Sequence, residues 1–99
     1  MYFVVFATDK PAQEALRARI RPAHRVYLRQ HPHPVRVVLG GPTLRAQSRE
    51  MNGTLLVIEA ASQEQVDTFL QDDPYVQAGI FAEIIVRPWL WGIGAPQEV

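Results

Sequence analysis

Apolar positions along the chain change period several times, and each change marks an element. Tyr2–Ala7 is an unbroken aromatic and β-branched run, which predicts a strand over Tyr2–Thr8 covered on both faces. Asp9-Lys10-Pro11 turns out of it, and Pro11 suits a first helical position. From Ala12 to about His31 the period becomes helical: Leu16, Ile20, Ala23 and Tyr27, with Leu28 alongside, make a core-facing stripe. Pro22 lies inside it and predicts a kink or split, with Ala23 and His24 opening the second half. His24 flanks the apolar stripe, where a cleft-lining side chain would sit.

Prolines 32 and 34 end that helix. Val35–Leu39 reads as the second strand, stopped by Gly40-Gly41-Pro42 in a tight turn where two glycines would let a ligand approach the main chain. Thr43–Asn52 reads as a polar surface loop, long enough to form a flap. Gly53–Ala60 is the third strand. Ser62 and Gln65 fit a capping box before a helix Gln63–Gln71 that buries Val66, Phe69 and Leu70. Ile80–Arg87 is the fourth strand, and Pro88 places the adjoining Trp89–Trp91 at an edge or exit. The order β-α-β-β-α-β predicts an α+β, ferredoxin-like antiparallel sheet with both helices on one face. One domain spans residues 1–91, and Gly92–Val99 is a loose tail.

At 99 residues and 47% hydrophobic content the core is modest, so an interface with another chain would add stability. There is no cysteine, hence no disulfide, thiol nucleophile or cysteine metal site. No basic leader and no apolar window long enough for a bilayer are present, so a cytoplasmic protein without a membrane partner is expected. Net charge is zero but unevenly spread: residues 10–49 carry nine basic residues against Glu14, and residues 50–99 carry Arg87 against eight acids. Either the fold interleaves the halves or it displays a basic face that attracts anions. Arg17, Arg21, Arg25 and Arg29, four apart, form a basic ridge whose self-repulsion invites acids, a partner subunit or bound anions, unless it is simply solvated.

Two stretches bear on chemistry. In Asp72-Asp73-Pro74, Asp73 suits an N-cap and Pro74 a first helical residue, with Gly79 closing the short turn. The His31-Pro32-His33-Pro34 stretch offers two histidines but no neighbouring carboxylate or cysteine, so no metal site is expected.

The aliphatic first strand, Arg21-Pro22-Ala23-His24, Gly40-Gly41-Pro42, Asp73-Pro74-Tyr75 with Ala78-Gly79, and Val86-Arg87-Pro88-Trp89 occur in the order of the YciI-like (YCII-related) family. The chain resembles that family nearly throughout, up to about residue 90. The resemblance implies a dimeric α/β barrel, with two sheets packed face to face, and a cleft in which His24 and Asp73 meet as an acid–base dyad. A histidine oriented by a carboxylate suits proton transfer near neutral pH. Arg21, Arg25 or Arg45 would hold an anionic group of the substrate, with Gly40, Gly41, Pro42 and Tyr75 completing the binding site.

The function expected from this combination is cofactor-independent proton transfer on a small organic molecule, anionic or aromatic: an isomerase or a dehydrochlorinase-type lyase. The alternative is a non-catalytic small-ligand or interaction module, in which His24 is structural and Asp73 only a cap. Nucleic-acid binding through the arginine ridge is disfavoured by the balanced charge and the absence of a recognition motif.

Overall fold

The computed structural model describes residues 1–30 and 34–95. The elements are β1 (Tyr2–Asp9), α1 (Glu14–Gln30), β2 (Arg36–Leu44), β3 (Met51–Glu59), α2 (Gln63–Gln71), α3 (Pro74–Gln77) and β4 (Phe81–Trp89). The four strands form one antiparallel sheet in the order β2-β3-β1-β4. The two central strands are therefore the first and third in sequence, the ferredoxin-like arrangement the element order predicts.

Alternation along β1 decides where the core lies. Phe3, Val5 and Ala7 are buried on one face, in register with Ile58, Leu56 and Thr54 of β3. Both longer helices pack on that face: Val66, Phe69 and Leu70 of α2, with Tyr27 and Leu28 of α1, close over Phe3, Val5, Leu56 and Ile58. Each fully buried aliphatic or aromatic side chain here contributes about 1.5–3 kcal/mol. The opposite face carries Val4, Phe6, Leu39, Leu55 and Ile85, and Phe6 remains 45% exposed. A strand expected to be covered on both faces is thus covered on one within a single chain.

Several local expectations change. Ala12 sits at φ 60°, so Pro11 stays in the turn and α1 begins at Glu14. The helix then runs unbroken through Pro22 instead of splitting there. The ring removes one N–H bond, but Arg17 anchors one end to the sheet side and Tyr27 and Leu28 pack against the core at the other. Ala23, expected on the buried stripe, is exposed. Gly40-Gly41-Pro42 does not end the second strand; it continues as β2, pairing with Leu56, Leu55 and Thr54. Proline is tolerated because β2 is an edge strand. The expected flap shrinks to a hairpin connection over residues 45–50, closed by Arg45 N–H donating to Glu50 O at 2.8 Å.

The shorter helices follow their local signals. Ser62 Oγ accepts from Gln65 N–H, and Gln65 Oε1 accepts in return from Ala61 N–H, which starts α2. Asp73 caps α3 with Pro74 at its start, and Gly79 at φ 74° turns the chain into Ile80 and β4. The histidine pair at His31 and His33 lies outside the described residues, as does the end of the tail beyond residue 95.

Candidate functional site

Among the described side chains of α1, the two most buried are polar. Arg17 and His24 lie seven residues, two turns, apart on its inward line and are 2% and 6% exposed. Arg17 forks onto the Asp9 carboxylate (Nε to Oδ2, 2.8 Å; Nη2 to Oδ1, 3.3 Å). It also donates to Gly53 O at 2.7 Å and Thr54 Oγ1 at 2.6 Å. A buried ion pair holds only when its hydrogen bonds replace lost water, and these four do so. Arg17 therefore does not belong to a solvated ridge, and the acid that compensates it comes from the end of β1. Gly53 must be glycine for this packing, because a Cβ there would meet the Ala7 carbonyl oxygen.

Two turns further along α1, His24 meets the start of α3. Asp73 Oδ1 accepts the Tyr75 N–H at 2.9 Å and lies 2.7 Å from His24 Nδ1. A single oxygen thus serves as helix cap and histidine partner. An ionised carboxylate only accepts, so Nδ1 is the donor in this contact, and in the neutral imidazole Nε2 is then the acceptor. The pair is nearly dry, with side chains 8% and 2% exposed. Tyr75 fixes the imidazole plane by stacking on it, centroids 3.8 Å apart and 11° from parallel. The Arg17 guanidinium lies 4.7 Å from the same phenol ring's centroid, tying the anchored arginine to the histidine through one aromatic.

Tyr27 supports the site from behind. Its hydroxyl donates to Phe69 O at 2.7 Å and its ring stacks on Phe69. Burial, then the Asp72 and Asp73 carboxylates, push its phenol up to about 12, so it stays neutral beside His24 and Asp73.

His24 opens into a cleft of about 950 Å³ between α1 and the β2–β3 edge of the sheet. Of the residues expected in the site, His24, Tyr75, Arg21, Arg25, Gly40, Gly41 and Pro42 all line it. Asp73 stands behind His24, 1% exposed. Arg45 is not brought there; it sits in the hairpin connection facing Glu50 at 4.0 Å. Gly40 keeps the strand wall low, since a Cβ would come within 2.5 Å of Leu56 Cδ2. Asp9 and Thr54, the partners of Arg17, were not foreseeable from their own surroundings in the chain. The one available signal was that Arg17 precedes His24 by two helical turns. Among the described residues, no three of His, Cys, Asp and Glu gather as metal ligands, and no helix is long and apolar enough to cross a membrane.

Comparison with known proteins agrees in fold and extent. The family model of the YCII-related domain matches residues 1–90. A protein of Haemophilus influenzae is 28% identical over 94 residues, covering 90% of this chain and 96% of its own. Protein YciI of Escherichia coli O6:H1 is 29% identical with the same coverage. Among solved structures, the 5-chloro-2-hydroxyhydroquinone dehydrochlorinase of Burkholderia phenoliruptrix, in complex with 2,5-dihydroxybenzoquinone, superposes with a TM-score of 0.83. It is 34% identical, over 93% of this chain and 96% of that one.

Proposed function

The chain belongs to the YCII-related domain family, and from that membership we propose that it is a small-molecule enzyme whose His24–Asp73 dyad moves a proton in a lyase- or isomerase-type reaction. The observation that carries this is the buried 2.7 Å contact between Asp73 and His24 Nδ1, beside a cleft large enough for a small organic molecule. The likeness to a dehydrochlorinase supports a small-molecule enzyme in general terms.

In the proposed step, His24 Nε2 takes a proton from a C–H or O–H of the substrate. The electron pair released forms a new double bond and, in the lyase case, expels a halide from the same molecule. The imidazolium is balanced by Asp73 and returns its proton to water, or to another carbon in an isomerisation. The sum is loss of HX or a proton shift, which needs neither oxidant nor reductant. Tyr75 holds the imidazole in plane, and Asp73 holds its tautomer.

The test is halide release from a panel of chlorinated hydroquinones, catechols and dihydroxybenzoates, read with an ion-selective electrode, alongside deuterium exchange into the substrates. Wild type is expected to turn over at least one, and His24→Ala to lose about 10²-fold or more with the fold retained by circular dichroism. Undiminished turnover in His24→Ala, or no release and no exchange across the panel, would refute the proposal and favour a ligand-binding module.

We also propose that two copies pack through the open sheet face, where Phe6 and Leu39 stay about half exposed beside Val4, Leu55 and Ile85. A chain of this size gains from covering such a face. Sedimentation at micromolar concentration should give twice the 11.2 kDa chain mass; a monomer would sink the barrel.

A further inference from the structure

The walls of the cleft differ in kind. The α1 wall carries Arg21, Arg25 and Arg29 around His24, while the strand wall offers Val37, Leu56 and a bare Gly40. Among the described residues, no aspartate or glutamate lines the cleft. Two of the arginines near it are neutralised: Arg17 by Asp9, and Arg36 by Glu59 at 2.8 Å. Arg21, by contrast, donates to the neutral Met51 Sδ at 3.0 Å. Among the described residues no carboxylate lies within ion-pair reach of Arg21, Arg25 or Arg29.

Three uncompensated guanidiniums along one helix repel one another at each four-residue step. Arg21 is half-buried and Arg25 and Arg29 are exposed at the mouth of the cleft, and their clustering there calls for an anion brought by the ligand. On the helix, Arg21 and Arg25 stand about 4.5 Å and 1.5 Å along the axis from His24, on either side of it. An anionic group held by them would lie within a ring's width of the imidazole. The guanidinium fork matches a planar carboxylate edge-on, and the low apolar strand wall leaves a slot for a flat body.

We propose that the substrate is a cyclic or aromatic acid, with a carboxylate bound by Arg21 and Arg25 on the same ring system that reacts at His24. This deepens the proposed function by naming a substrate class; it rests on the cleft being the substrate site. A neutral hydroquinone would leave the cationic wall unmatched. A ring-borne carboxylate replaces the missing acids while its apolar face lies against Val37 and Leu56.

Two probes that share a ring and two hydroxyls separate the possibilities: 2,5-dihydroxybenzoate, which carries a carboxylate, and benzene-1,4-diol, which does not. Calorimetric titration is expected to show the acid bound about tenfold more tightly or better, as befits a charge-assisted contact. Arg21→Gln should remove most of that preference and leave diol affinity within about twofold, Arg25→Gln should remove part of it, and added salt should weaken only the acid. His24→Gln should keep the preference. Equal or tighter binding of the diol, a preference that survives the Arg21→Gln/Arg25→Gln double variant, or no binding of either probe at millimolar concentration overturns the proposal. A carboxylate preference without any proton transfer would sink the enzymatic reading alone. Proton transfer on neutral diols without such a preference would sink this inference alone.

Discussion

Replacing Asp73 tests the centre of the site, because one oxygen is asked to do two things. In Asp73→Ala the α3 cap is lost, at about 1 kcal/mol. His24 Nδ1–H is then left in a dry environment without an acceptor, adding about 1–3 kcal/mol. The expected loss is about 3 kcal/mol, or roughly 15 °C in Tm for a domain of this length. Asp73→Asn keeps an acceptor oxygen and the same volume but loses the charge, so it should cost about 1 kcal/mol. Urea unfolding of both variants at one fixed protein concentration, which matters if the fold dimerises, gives the numbers. Combining Asp73→Ala with His24→Ala closes a double-mutant cycle, with an expected coupling of about 1–3 kcal/mol. Additivity within about 0.5 kcal/mol would mean that the two side chains do not share a bond, and would refute the account of the dyad.

Other perturbations separate buried from decorative interactions. Arg17→Met strands the Asp9 carboxylate, whose side chain is 6% exposed, and should cost about 3–5 kcal/mol in urea unfolding; Arg36→Ala breaks an exposed pair and should cost under about 1 kcal/mol. Similar losses in the two would contradict the burial argument. Gly53→Ala drives a Cβ against the Ala7 carbonyl and should destabilise by more than about 2 kcal/mol, whereas Gly41→Ala meets open space and should stay within about 0.5 kcal/mol. A tolerated Gly53→Ala would refute the tight β1–β3 approach. In alkaline absorbance titration, a phenolate component with a midpoint near 12 should vanish in Tyr27→Phe. Because the folded value lies above the ordinary phenol value of 10.0, this group's stabilising contribution is intact below pH 10.0 and is lost as pH rises through about 12. Loss of a component near 10 in Tyr27→Phe instead would show that Tyr27 is not desolvated.

The range of each interaction decides how much of the fold and site is legible in the chain. The helix Gln63–Gln71, its Ser62 cap and the Asp73-Pro74 start of α3 were legible because each depends on neighbours within four residues. The order of strands and helices was legible from the change of period, and with it the sheet's overall plan. Tertiary partners decided the rest. β2 runs on through Gly40-Gly41-Pro42 because Leu56, Leu55 and Thr54 stand opposite, and an edge strand has no second ladder for proline to break. Arg17 looked like one of four equivalent ridge arginines, compensated or solvated; only the end of β1 and the start of β3 supply the Asp9, Gly53 and Thr54 oxygens that make its burial possible. Spacing alone could not bring His24 to Asp73, 49 residues on; family resemblance suggested the meeting. The sequence by itself determined the elements and their caps, which are local in energy. The folded sheet decided which charges are buried, which are matched, and which face the cleft without a carboxylate partner among the described residues, because desolvation and ion pairing depend on partners brought together from distant parts of the chain.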